Sequence, residues 1–186
     1  MKIILIRHGK TAGNLEKRYI GITDEPLCDA GIKELQAMEY PDCERVISSG
    51  MKRCIETAKL IYPDKKIEIC EQLNECDFGS FEGKNYAELS ADPDYQKWLD
   101  SAGKRPFPNG GDPEKFKTRC TREFVKITQK FSENKTLAFV IHGGTIMSIM
   151  EKFAILERNF YDYQVENGHG FVAEFDGTNI TKTENL

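Results

Sequence analysis

Short apolar runs (KIILI, ERVISS, KIEIC and TLAFVI) alternate along the chain with stretches whose apolar residues recur every three or four positions. This exchange of a strand period for a helix period restricts the fold more than any other feature of the sequence. Strands that are each followed by a helix are joined by crossovers, and crossovers build parallel sheets covered by helices. The spacing predicts one helix through Ile32, Leu35 and Met38, entered by the polar turn around Asp29. A second carries Met51, Cys54, Ile55, Ala58, Ile61 and Tyr62 and is stopped by Pro63. A third begins at Asp112 and Pro113, a good N-cap and first-turn pair, with Phe116, Cys120, Phe124, Ile127 and Phe131 on one face. The last, after TLAFVI, places Ile146, Ile149, Met150, Phe153 and Leu156 together, and two short strands with an Asp176-Gly177 turn follow it. The expected fold is α/β: a three-layer sandwich with a mostly parallel central sheet flanked by helices. A length of 186 residues suits one core. A single unit over residues 1–186 is therefore expected, with a cap or loop region at about 77–111. There the pattern loosens into FGSFEGKNYAEL, one weak helix near Tyr95 to Leu99, and the turn-rich KRPFPNGG.

Composition removes several classes of function. Lys and Arg number 26 against 30 Asp and Glu, a net charge of −4 that gives no electrostatic footprint for nucleic acid. Any anion site must be local, made by a few cations in a cleft. No apolar run approaches the roughly 18 residues of a membrane span. The starting IILI is too short for a signal-peptide core, so a cytoplasmic protein is expected. The six cysteines, Cys28, Cys43, Cys54, Cys70, Cys76 and Cys120, form no C-x-x-C pair and fall largely in apolar stripes, where a reduced thiol acts as a small hydrophobe. They read as core thiols rather than as a disulfide or metal framework. The sequence leaves the oligomeric state open.

In parallel sheets ligands sit beyond the carboxyl ends of the strands. His8 follows IILIR and His142 follows LAFVI, each with glycine after it to let backbone amides approach a ligand. A strand-end histidine alone is as readily explained by a hydrogen bond to a carbonyl. Arg53 sits in the first turn of the helix after ERVISSGM, where the macrodipole disfavours a cation unless both meet an anion. Glu75 stands between a core strand and a Gly-punctuated loop. His169, in NGHGF, has no motif around it and reads as a loop residue.

Taken together, RHG, SSGMKRCIETA, LNECDFGSFEG and VIHGG resemble, in order and over nearly the whole chain, the four signature segments of the histidine phosphatase superfamily, the phosphoglycerate mutase-like proteins. PNGGDPEKFKTR resembles a segment of the family's short phosphatases, among which α-ribazole phosphatases and phosphosugar phosphatases look closest. The resemblance implies that His8 is the nucleophile that becomes phosphohistidine and that Arg7, Arg53 and His142 clamp the phosphoryl oxygens. Glu75 would be the acid and base, Asn14 and the Gly143 amide would complete the pocket, and Gly21 and Thr23 would lie near the substrate. It implies no metal and no cofactor, and a small phosphorylated metabolite as the partner. The physics agrees, because phosphoryl transfer rests chiefly on in-line positioning and preorganised positive charge.

Some positions depart from the family pattern: Lys10, Cys28, Gly50, and Gly111-Asp112 in place of Glu-Ser, the last leaving a contact at the cleft edge in question. Only 66 residues lie between Glu75 and His142. Family mutases carry a longer stretch there, so hydrolysis is expected over cofactor-dependent mutase chemistry. A non-catalytic phospholigand-binding module is the third reading, although a binder has no need of Glu75 as an acid.

Overall fold

The computed structural model describes residues 1–131, 134–156 and 158–186. Among these, six strands form one sheet: β1 (Lys2–Arg7), β2 (Arg45–Ser48), β3 (Ile67–Ile69), β4 (Thr136–Ile141), β5 (Gly170–Phe175) and β6 (Ile180–Asn185), in the order β3-β2-β4-β1-β5-β6. The first four in that order run parallel, whereas β5 is antiparallel to β1 and β6 to β5. β1 and β4 lie at the centre with their interiors wholly buried, which is why both read as unbroken apolar runs.

The two faces of β1 explain the layering. Ile3 and Leu5 pack with Phe139 of β4 against Phe124 of α6 (Pro113–Thr128) and Ile146 and Ile149 of α7 (Gly143–Phe153). Ile4 and Ile6 pack on the opposite side with Cys54 and Ala58 of α3 (Lys52–Ile61), beside which lies α2 (Asp29–Gln36). The result is the helix–sheet–helix sandwich the alternation predicts. A short α1 (Ala12–Leu15) follows β1 and is closed at its start by a capping box of Thr11 and Asn14.

Local chemistry sets the helix starts. Asp112 Oδ1 accepts from the amides of Glu114 and Lys115 at 2.9 and 3.0 Å, with Pro113 at the first position. At the α2 start Cys28 Sγ accepts from Gly31 N–H at 3.4 Å, a thiol standing in for the usual hydroxyl. His142, the N-cap of α7, makes no side-chain cap, which leaves that helix's first amides available.

Three expectations are corrected. α7 stops at Phe153, and Leu156 is largely exposed, because Ala154 turns extended and bridges to Ile180. Region 77–111 holds two helices rather than one, α4 (Tyr86–Leu89) and α5 (Pro93–Asp100), each with a side-chain cap, from Asn85 and Asp92. They gather Phe81, Leu89, Tyr95, Trp98 and Phe107 into an apolar cluster of their own, joined to the body through Phe116 and Cys120 of α6. All six cysteines are free thiols, but only Cys43, Cys54, Cys76 and Cys120 are buried, Cys28 and Cys70 being half-buried. No helix among the described residues is long and apolar enough to cross a membrane.

Candidate active site

The carboxyl ends of β1, β2 and β4 bring the candidate residues to one sheet edge. His8 leaves β1 with its amide still donating to Ile141 O at 2.9 Å, so it stays in register with β4. Its Nδ1 lies 2.7 Å from the carbonyl of Gly9. A carbonyl oxygen only accepts, so Nδ1 carries the hydrogen and Nε2 keeps its lone pair. Burial, and then the charges of Arg53 and Arg7, hold this ring well below the ordinary histidine value, hence neutral.

His142 lies edge-on to His8 with ring centroids 5.2 Å apart and has no exposed surface. Its Nε2 is 2.8 Å from Ser49 Oγ, which also receives Met51 N–H at 3.4 Å. Cys54 Sγ lies 3.5 Å from the same nitrogen and 3.8 Å from Nδ1, so a hydroxyl and a thiol fix the ring from one side. Burial, followed by the charge of Arg53, lowers this ring's pKa well below the ordinary value too.

Two arginines supply the positive charge. Arg53 is fully buried, with Nη1 donating to Thr23 O at 2.8 Å and Nη2 to the carbonyls of Gly21 at 2.8 Å and Ile20 at 3.4 Å. Arg7 Nη1 donates to Val165 O at 2.8 Å. The Nε–H groups of both arginines are buried without a partner among the described residues. A buried guanidinium N–H left unpaired is the donor an anionic ligand would take up.

Glu75 completes the set. Its Oε1 accepts from Cys76 N–H at 2.9 Å and its Oε2 from Gly144 N–H at 3.0 Å, in the first turn of α7. Burial raises the Glu75 pKa, outweighing the opposite pull of those amides, Arg53 and Arg7. A Cβ on Gly144 would run into this carboxylate. Arg119 of α6 holds the backbone behind it, donating to the carbonyls of Gln72 and Asn74 at 2.5 and 2.7 Å.

Arg7, His8, Asn14, Glu75 and Gly143 line a cleft of about 920 Å³ whose far wall is aromatic, with Tyr19, Phe78, Trp98 and Phe107 from the cap side and Phe116 and Tyr161 opposite. Arg53 and His142 are not in that wall, yet Arg53 lies close enough for its charge to bear on His8, and His142 meets His8 directly. Gly21 and Thr23 do not line the cleft either: their carbonyls hold Arg53, and their amides donate to Glu82 Oε1 at 2.7 and 2.9 Å. They stand behind Arg53 in this structure, next to Ile20, which does line the cleft. Gly111 and Asp112 serve the fold, one bonding Asp77 O at 2.8 Å and the other capping α6. Lys10 pairs with Glu34 at 2.7 Å, away from the cleft.

Sequence reasoning missed Asn167. Its amide donates to His8 O at 3.0 Å and Asn14 Oδ1 at 3.2 Å, while Gly168 N–H donates to Arg7 O at 2.9 Å. The turn in which the sequence offers only His169 thus holds the backbone of Arg7 and His8 in place, and His169 itself gives Arg7 N–H its acceptor carbonyl at 2.9 Å.

A family model described as histidine phosphatase superfamily (branch 1) matches residues 3–184. The chain is 25% identical over 177 residues to the adenosylcobalamin/alpha-ribazole phosphatase of Salmonella typhimurium, spanning 90% of this chain and 87% of that protein. It is 31% identical over 161 residues to 2,3-bisphosphoglycerate-dependent phosphoglycerate mutase 2 of Gloeobacter violaceus, spanning 80% and 73%. The crystal structure of the alpha-ribazole phosphatase from Shigella flexneri matches with a TM-score of 0.82 at 22% identity, over 97% of this chain and 94% of that one, a likeness of fold.

Proposed function

The chain belongs to the histidine phosphatase superfamily, branch 1, and from that premise we propose that it is a phosphomonoester hydrolase working through phospho-His8. The observation that carries this reading is the state of His8: a neutral ring in the cleft wall, its Nδ1–H fixed on Gly9 O, with Nε2 free to attack. In the first step Nε2 forms a bond to phosphorus as the ester P–O bond breaks, and Glu75 gives its proton to the departing alkoxide. Arg7, Arg53 and His142 meet the charge on the equatorial oxygens. In the second, Glu75 takes a proton from water as it attacks the phosphohistidine, releasing orthophosphate and restoring the ring. The raised pKa of Glu75 suits both halves.

Cleft size and lining support hydrolysis of a bulky ester over mutase chemistry. About 920 Å³ is near the upper end of small-molecule sites and far more than a three-carbon phospho-acid fills. A mutase must instead enclose a small substrate at both ends and exclude water. The aromatic wall suits the phosphate ester of an alcohol bearing a planar ring, and the Salmonella relative is named an adenosylcobalamin/alpha-ribazole phosphatase. A screen of phosphomonoesters in EDTA tests the reading. Expected are phosphate release without added metal, a preference for ring-bearing alcohols over 3-phosphoglycerate, and inhibition by vanadate, whose trigonal bipyramid mimics the transferring group. Activity abolished by chelation and restored by Mg²⁺ would sink the mechanism; interconversion of 2- and 3-phosphoglycerate faster than phosphate release would point to the mutase.

A further inference from the structure

Arg53 is held by backbone carbonyls, and carbonyls give direction only when the chain carrying them is fixed. The loop that supplies them, Ile20 to Thr23, has no regular structure of its own. It is anchored by Glu82, which follows the turn Gly79–Phe81 at the root of the cap: Oε1 receives the amides of both Gly21 and Thr23, and Oε2 faces Phe78 N–H at 3.4 Å. One peptide unit makes the link direct. The bond joining Ile20 to Gly21 offers its N–H to Glu82 and its C=O to Arg53 Nη2, so carboxylate, peptide dipole and guanidinium stand in series and polarise one another. On its other side the loop is pressed against the chain after Glu75, since a Cβ on Gly21 would collide with Cys76 O. Glu82 is not in the cleft wall.

We propose that Glu82 is a positioning residue for the phosphoryl clamp, setting the guanidinium of Arg53 through the backbone of Gly21 to Thr23 without touching the substrate. This rests on reading Arg53 as a phosphoryl-binding cation. It also makes the cap a determinant of clamp geometry as well as a wall of the cleft.

A double-mutant cycle separates this from a merely structural carboxylate. Turnover of p-nitrophenyl phosphate and binding of orthophosphate are measured for Glu82→Ala, Glu82→Gln and Arg53→Lys, and for Glu82→Ala combined with Arg53→Lys. Glu82→Ala should lose on the order of 10²-fold in kcat/KM, the cost of misplacing a clamp by an ångström, and should bind orthophosphate more weakly. Glu82→Gln should stay within a few-fold, because its amide oxygen can accept both N–H groups. With Arg53 already changed to Lys, Glu82→Ala should cost less than about twofold more. The full loss persisting on top of Arg53→Lys, or a parent-like Glu82→Ala, would overturn the proposal. A parent-like Arg53→Lys would sink the clamp reading together with it, whereas a deficient Arg53→Lys with additive losses sinks the proposal alone. Should Glu82→Ala not fold, Glu82→Asp keeps the charge, draws the carboxylate back by one methylene and carries the same cycle. If the parent hydrolyses no phosphomonoester, the cycle is read in orthophosphate binding.

Discussion

In the proposed cycle Glu75 holds a proton in one half of turnover and lacks it in the other, and its surroundings pull both ways: burial favours the acid, while two amides and two arginines favour the carboxylate. Glu75→Gln separates the roles, because nitrophenolate leaves without a proton and an alkoxide does not. With p-nitrophenyl phosphate the variant should release a burst of about one equivalent of nitrophenol and then turn over slowly, label remaining on His8. Alkyl phosphates should be hydrolysed very poorly. Parent-like turnover without a burst would leave Glu75 only the acid role, and a variant never phosphorylated would make it structural. The other carboxylates of that loop are engaged already: Asp77 Oδ1 receives Gly79 N–H at 2.9 Å and Glu82 holds the 20–23 loop. His8 and His142 were legible in the sequence because each directly follows a strand, and Arg53 because it opens the helix after β2; Glu75 lies past the turn Glu71–Leu73 beyond β3, and the family resemblance marked it. Asn167, Ser49 and Glu82 were not, because they act on backbone or ring nitrogens far along the chain, and such pairings leave no periodic trace.

At the scale of elements, the start of α7 is the junction on which the placement of Glu75 depends. Gly143 and Gly144 look interchangeable in sequence, yet their surroundings differ. A Cβ on Gly143 would sit 3.5 Å from Arg7 Nε, an ordinary contact, whereas one on Gly144 would overlap the Glu75 carboxylate. Gly144→Ala should therefore lower kcat/KM on the order of 10²-fold by displacing that carboxylate, and Gly143→Ala should be far milder. Alanine is the better helix former by about 1 kcal/mol, so thermal melts should show that neither loss reflects a weaker helix. Equal rates for the two variants would mean that Glu75 tolerates displacement. The long elements were readable from their stripes and from the Asp112-Pro113 start. α4 and α5 were harder, since helices of one or two turns show too little period, and they are defined more by the caps of Asn85 and Asp92 and by the aromatic cluster they close than by their own pattern.

For the whole molecule, burying two neutral histidines beside two arginines ties stability to pH. Both rings have pKa values well below the ordinary 6.5, so the folded state refuses protons that the unfolded chain accepts. Stability should be unaffected by these groups above pH 6.5 and fall as the pH drops below it, with a slope approaching about 2.7 kcal/mol per pH unit from two protons. Glu75 works in the opposite sense, its raised carboxyl favouring the folded state at lower pH, and so makes the fall shallower near the carboxylate range. Urea melts at about pH 7.5 and about pH 5 check this, and a midpoint unchanged between them would show that the rings protonate in place. The sheet order adds a consequence for biosynthesis. His8 is made well before the 167–168 turn, yet its carbonyl is held by Asn167 and Gly168, and β1 is flanked on one side by β5. A nascent chain halted just after Gly144 would carry every signature segment and still lack the turn that holds His8. On the proposed function, phosphohistidine chemistry would wait for translation to pass Gly170, keeping a half-made chain from capturing phosphate it could not release.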